Sequence, residues 1–201
     1  MTFPRRALLP AAAALVILIT GCSSGDSASD STAASSVSTA DTASIAGFND
    51  ADVEFAQGMI AHHEQAIEMA EIAADPNVGA RTEVVDLAKR IRAAQEPEVA
   101  QMTTWLNAAG KPLTMDMSDG HDMSAMPGMM SSMQLDMLAA AKGADFDTMW
   151  IEMMIDHHEG AVLQAGDVIE NGTNAELAAL ARQIIAVQEK ELVELRALLT
   201  R

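Results

Sequence analysis

The stretch Met59-Ile60-Ala61-His62-His63-Glu64-Gln65-Ala66-Ile67 returns later in the chain as Met154-Ile155-Asp156-His157-His158-Glu159-Gly160-Ala161-Val162. Further on, Ile91 to Val99 parallels Ile184 to Leu192, sharing Gln95, Glu96 and Glu98 with Gln188, Glu189 and Glu191. The first match is offset by 95 residues and the second by 93. The chain is therefore a duplication, and each half carries two helices joined by a slightly different loop. Start and stop signals place these helices. The first runs from about Asn49 to Ala74, ended by Asp75-Pro76, and the second from about Gly79 to Ala109, ended by Gly110-Lys111-Pro112. A short helix follows from about Ser132 to Lys142, opened by a Ser131…Gln134 capping box and stopped at Gly143. A third long helix spans about Phe146 to Glu170, and a fourth starts at a Thr173…Glu176 box and runs to the C-terminus. Pro97 falls inside the second helix and should kink or split it. Four long amphipathic helices in two hairpins predict an all-α fold, a four-helix bundle with a connecting loop and a short extra helix between the halves.

At about 100° per residue, His63 lies at the centre of an apolar stripe with Ala56, Met59, Ile60, Ala66, Ile67, Ala70 and Ala74, and His62 lies on its flank. His158 is equally central among Ile151, Met154, Ile155, Ala161, Val162, Ala165 and Ile169, with His157 on the flank. In the second helix of each half, Gln95 and Glu98, and Gln188 and Glu191, share the apolar stripe. Each half thus directs a His, a Gln and a Glu toward the interior. An unpartnered carboxylate is costly to bury, so the glutamates must be compensated by the histidines or by a cation. A polar layer that only fixes helix register is the plainer account of the same residues.

Imidazole is the commonest protein metal ligand, and carboxylates or thioethers complete such sites. Candidate ligands are His62, His63, His157 and His158, with Met59 and Met154 one helical turn before them and Glu98 and Glu191 from the facing helices. The di-iron bundle signature, Glu three residues before His, is missing, and so is the zinc-protease pattern His-Glu-x-x-His. Residues 115–133 read MDMSDGHDMSAMPGMMSSM, a Met-rich loop in which Met115, Met117, Met123, Met126, Met129, Met130 and Met133 surround His121. Thioether sulfur suits Cu(I). The chain therefore reads as a metal-binding protein, with copper as Cu(I) or Cu(II) the leading ion and zinc and iron left open. The loop would capture the ion first and the histidines would hold it. A di-metal oxidase and a metal-free interaction module are the alternatives, and a protein partner for metal transfer is unidentified.

The N-terminal segment points to export. Arg5 and Arg6 precede an apolar run from Ala7 to Ile19 and then Thr20-Gly21-Cys22, the pattern of a signal peptide. Ile19-Thr20-Gly21-Cys22 resembles a lipobox, in which the single Cys of the chain, Cys22, would be acylated. This reading divides the chain into a lipoprotein signal peptide over 1–21, a lipid-anchored flexible linker over 22–47 and a folded domain over 48–201. The linker is Ser, Thr, Ala, Asp and Gly with almost nothing large, and would hold the domain about 25–30 Å from its anchor. The protein is thus expected outside the cytoplasm, fixed to the cell membrane or facing the periplasm, touching membrane through the lipid alone. A formal net charge of −17, from 12 Lys+Arg against 29 Asp+Glu, repels nucleic acid and concentrates cations.

The doubled Met-Ile-x-His-His motif, with Gln95…Glu98-Val99, Met102 and Trp105-Leu106 after its first copy, resembles the bacterial domain of unknown function 305 family over about residues 48–199. The resemblance implies a ferritin-like four-helix bundle in exported proteins, some of them associated with copper binding and tolerance, with no settled activity for the family as a whole.

Overall fold

A computed structural model of the chain describes residues 47–116 and 126–200. All its elements are helices: α1 Asp50–Ala74, α2 Thr82–Ala108, α3 Ser132–Ala140, α4 Gly143–Asn171 and α5 Ala175–Leu199. The signal-peptide and linker residues up to 46, and Met117, His121 and Met123 of the loop, lie outside the described residues. Among those described, no helix is long and apolar enough to cross a membrane.

Short loops fold α1 back on α2 and α4 back on α5, and the two hairpins meet along α1 and α4. Asn171 of α4 sits beside Asn49 ahead of α1, while Trp150, early in α4, donates its indole N–H to Met69 O, late in α1, at 3.0 Å. The two helices therefore run antiparallel. Apolar side chains fill the bundle in two clusters. One gathers the C-terminal half of α1, the N-terminal half of α4 and α3 around Trp150, Phe146 and Leu87. The other gathers the N-terminal half of α1 and the C-terminal half of α4 around Met59, Met102 and Leu177. The histidine layer falls between them.

Several boundaries differ from the sequence reading for identifiable reasons. The helix α2 runs unbroken through Pro97. Proline deprives only the carbonyl four residues earlier of its donor, and Ala93 is exposed, so water can take that place. Asn174, not Thr173, caps α5, its side chain accepting from Leu177 N at 2.8 Å. Thr173 is drawn instead to Gly47 O and to Asp52. Gly143 does not end α3, which stops at Ala140; it opens α4 with a φ of +58° and donates to Val78 O at 2.7 Å. The Ser131…Gln134 capping box is present.

Two aspartates clasp the hairpins together. Asp52 of α1 is fully buried and accepts from Asn49 N at 2.9 Å, Thr173 N at 3.0 Å and Asn174 N at 3.2 Å, in the turn of the other hairpin. Asp147, at the matching place in α4, accepts from Arg81 N at 3.1 Å in the turn of the first hairpin. Hydrogen bonds to a charged acceptor are the strong ones, and losing a buried acceptor leaves its donors unsatisfied. Asp52→Ala is expected to lower the free energy of unfolding by about 2–4 kcal/mol in urea denaturation, against less than about 1 kcal/mol for breaking the exposed Arg90–Glu194 pair.

Candidate metal centre

The four histidines occupy one level of the bundle, and all four are fully buried. The two residues of each pair point different ways. His63, at the centre of the α1 stripe, faces its own hairpin partner, and its Nε2 lies 2.8 Å from Glu98 Oε2. His158 repeats this toward Glu191 Oε2 at 2.8 Å. His62 and His157 face across the α1/α4 seam, with ring centroids 3.7 Å apart and planes tilted by 43°. The His157 and His158 rings are 6.4 Å apart. His62 and His157, on the flanks of their stripes, are buried as fully as the central pair. The flank of each apolar stripe is where the opposite hairpin packs, so it is as dry as the centre.

A strap from the connecting loop covers this seam. Pro127 O stands 3.2 Å from His62 Nε2 and accepts from Gln164 Nε2 at 3.3 Å. Gln65 holds the next turn of the strap in both directions, its Nε2 donating to Met130 O at 2.9 Å and its Oε1 accepting from Met130 N at 2.7 Å. Close approach is possible because Gly128, at φ +81°, lies against Gly160 on α4. A Cβ on Gly160 would collide with the Pro127 carbonyl.

Burial is the main electrostatic fact here. It pushes the His62 imidazole from an ordinary 6.5 down to about 3, helped by the neighbouring His63 and opposed by the bond to Pro127 O. Burial likewise pushes His157 well below the ordinary range, reinforced by His62, His158 and His63. Both rings are neutral at physiological pH, and a neutral imidazole offers a lone pair. Both ring nitrogens of His157 are buried without a hydrogen-bond partner, as are Nδ1 of His62, His63 and His158 and the whole side-chain amides of Gln95 and Gln188. Buried polar atoms in native proteins are nearly always satisfied, so this concentration of orphans at one level marks a place suited to a ligand.

Among the described residues, no three His, Cys, Asp or Glu side chains already form a metal cage. The two glutamates are engaged by His63 and His158, so among the described residues the imidazole nitrogens without a geometric partner are Nδ1 of His62, His63 and His158 and both of His157. Sulfur is the other donor at hand. Met59 and Met154, both fully buried, end the two apolar clusters on either side of the layer. Imidazole with thioether is a donor set that suits copper better than zinc.

The described methionines of the loop lie in different surroundings. Met115 and Met126 meet over Gly58 of α1. Met129 is half-buried, Met130 is buried in an apolar cluster, and Met133 is 71% exposed on α3. Sequence reasoning missed the Asp52/Asp147 clasp and the Pro127 and Gln65 contacts of the strap. The aspartates share the 95-residue offset of the histidines and could have been found from it; the strap has no counterpart in the repeat.

The model of the domain of unknown function family DUF305 matches residues 52–199. A DUF305 fragment from Deinococcus radiodurans is 28% identical in sequence, with a TM-score of 0.69 over 77% of this chain and 99% of its own. A DUF305 protein from Streptomyces coelicolor, assigned as secreted, is 30% identical, with a TM-score of 0.67 over 75% of this chain and 91% of its own. CopM in its Cu(II)-bound form is 32% identical, with a TM-score of 0.62 over 74% of this chain and 95% of its own. The same protein also matches in Cu(I)-bound and Ag-bound forms, at 30% and 28% identity. No curated protein matches the chain.

Two predictions follow from the geometry of the layer. The unfolded chain protonates His62 and His157 near pH 6.5 and the folded protein only far below it, so the unfolded state binds more protons and stability falls as pH falls from 6.5 toward 3. The slope is at most about 1.4 kcal/mol per pH unit per histidine. Urea unfolding of wild type against His62→Asn/His157→Asn should show this slope in wild type alone; identical pH profiles would refute it. Gly160→Leu should displace the strap and cost about 1–3 kcal/mol, read as lost hydrogen-exchange protection at the Met130 amide.

Proposed function

Because the chain belongs to the DUF305 family, we propose that it binds copper in the buried histidine layer, as an exported, lipid-anchored protein that sequesters copper or passes it on outside the membrane. One observation carries the reading. Two neutral imidazoles, His62 and His157, touch across the hairpin seam, and no described residue meets either His157 nitrogen with hydrogen-bond geometry. His62 and His157 would be the first donors, and Met59 and Met154 would favour the reduced ion. His63 and His158 would join as ligands or, oriented by Glu98 and Glu191, set the charge around them. The copper-bound forms of CopM support the choice of ion. The basic Arg5-Arg6 start, the apolar run to Ile19 and the placement of Cys22 support export and acylation.

The depressed proton affinity of His62 alters one expectation. An ordinary imidazole site loses metal below about pH 6. Here protons compete with the ion at His62 only near pH 3. A metal-free module is the second reading, favoured by the closed His63–Glu98 and His158–Glu191 pairs, which satisfy part of the layer without an ion.

Copper titration decides between them. Wild type should take up copper and melt at a higher temperature when loaded, since an ion that binds only the folded state stabilises it. Replacing His62, His63, His157 and His158 together by Ala should weaken uptake at least about ten-fold. No uptake by wild type, or uptake unchanged in the fourfold variant, would end the copper reading.

A further inference from the structure

Outside the histidine layer, a cleft of about 480 Å³ opens between α1 and α4, beside the strap. Its walls include Glu54, Met115, Met126, Pro127, Gln164 and Asp167. The two methionines come from opposite ends of the connecting loop yet converge on one point. A Cβ at Gly58 would stand 2.8 Å from the Met115 methyl carbon and 2.9 Å from that of Met126, with Gln164 Oε1 at 3.5 Å. Both methionine methyl groups are therefore seated in the space that a side chain at residue 58 would fill. The repeat sharpens the point. Residue 58 is matched in the second half by Met153, which is buried in an apolar cluster, so this opening exists on one side of the bundle only.

We propose that Met115 and Met126 form a two-thioether docking site for a soft monovalent cation over Gly58, one residue along the strap from the carbonyl that holds His62. Thioethers bind Cu(I) and Ag(I) without needing to lose a proton, and the Glu54 and Asp167 carboxylates raise the local concentration of cations. Unlike the buried imidazoles, the pair is only half-buried and lines a cleft among the described residues. Met126 adjoins Pro127, whose carbonyl faces His62 at 3.2 Å. An ion drawing Met126 into the cleft therefore acts on the one backbone contact that occupies His62 Nε2. Only the identity of the cation rests on the copper reading above; the geometry of the pair stands without it.

The test uses Ag(I), a redox-stable stand-in for Cu(I), and the full chain with Cys22→Ser so that no thiol competes. Methionine methyls are labelled with 13C and followed by NMR as Ag(I) is added, Met115→Leu and Met126→Leu supplying the assignments. The first equivalent should shift the Met115 and Met126 methyls together. Gly58→Leu removes no donor and favours the helix, but fills the cleft. It should raise the Ag(I) needed for those shifts on the order of ten-fold. Gly58→Ala, with less bulk, is the second variant if Leu prevents folding. In His62→Ala/His157→Ala the two shifts should persist, even if copper binding in the layer is lost or never existed. The site is refuted if the first equivalent moves other methionines and leaves these two unchanged. It is also refuted if filling the cleft has no effect, or if the shifts vanish with the histidines.

Discussion

The contact of His62 with His157 across the α1/α4 seam is the constraint around which the other features of the bundle are arranged. Two buried polar rings are held with centroids 3.7 Å apart, and His62 adds a contact from Nε2 to Pro127 O at 3.2 Å. Such a contact is unfavourable by itself, because imidazole loses its hydration on burial and regains little from another neutral ring. It persists because the neighbouring interactions leave the helices no better register. Above and below it, two apolar clusters fix the depth at which α1 and α4 meet. At the ends, Asp52 and Asp147 reach into the turn of the opposite hairpin and fix the slide of one helix along the other. A shift of one residue would break both clasps and turn the histidines away from each other.

Much of this was legible in the sequence, because it follows from periodicity. The duplicated Met-Ile-x-His-His turn, read at helical spacing, puts His63 and His158 at the centre of apolar stripes, and the Glu98 and Glu191 positions on facing stripes predict the pairs that form. What periodicity cannot supply is which neighbour each side of a stripe will meet. Each stripe of a four-helix bundle serves two contacts, one within the hairpin and one between hairpins. His62 looks like a flank residue from one helix alone, and becomes interior only when the second hairpin is present. The strap is harder still. Pro127, Gly128 and Met130 lie in a stretch whose composition suggests a loose loop, and only the Gly128–Gly160 approach and the bonds from Gln65 turn it into a fixed cover. Of the kink or split that Pro97 predicts, the split does not occur, and the carbonyl it deprives of a donor belongs to the exposed Ala93.

The two halves of the duplication have diverged most where the layer is covered. Gln65 and Gly160 occupy the same place in the repeat, and both touch the strap, one by bonding its backbone and the other by giving it room. Gly58 and Met153 are a second such pair, one leaving a space for loop thioethers and the other filling its space with its own. A symmetric dimer of hairpins would close or open both sides of the layer alike. Here the connecting loop can lie on only one side, and the repeat has adjusted to it.

That asymmetry gives the polar layer a direction. On the strap side, the described residues over His62 include the Pro127 carbonyl and the Gly128–Gly160 contact. The free energy needed to expose the layer is therefore lowest along the strap, where few apolar contacts are lost and the hydrogen bonds at stake are those of Pro127 and Met130. For an ion held by these imidazoles, as proposed above, the strap would be the segment whose local opening breaks the fewest contacts.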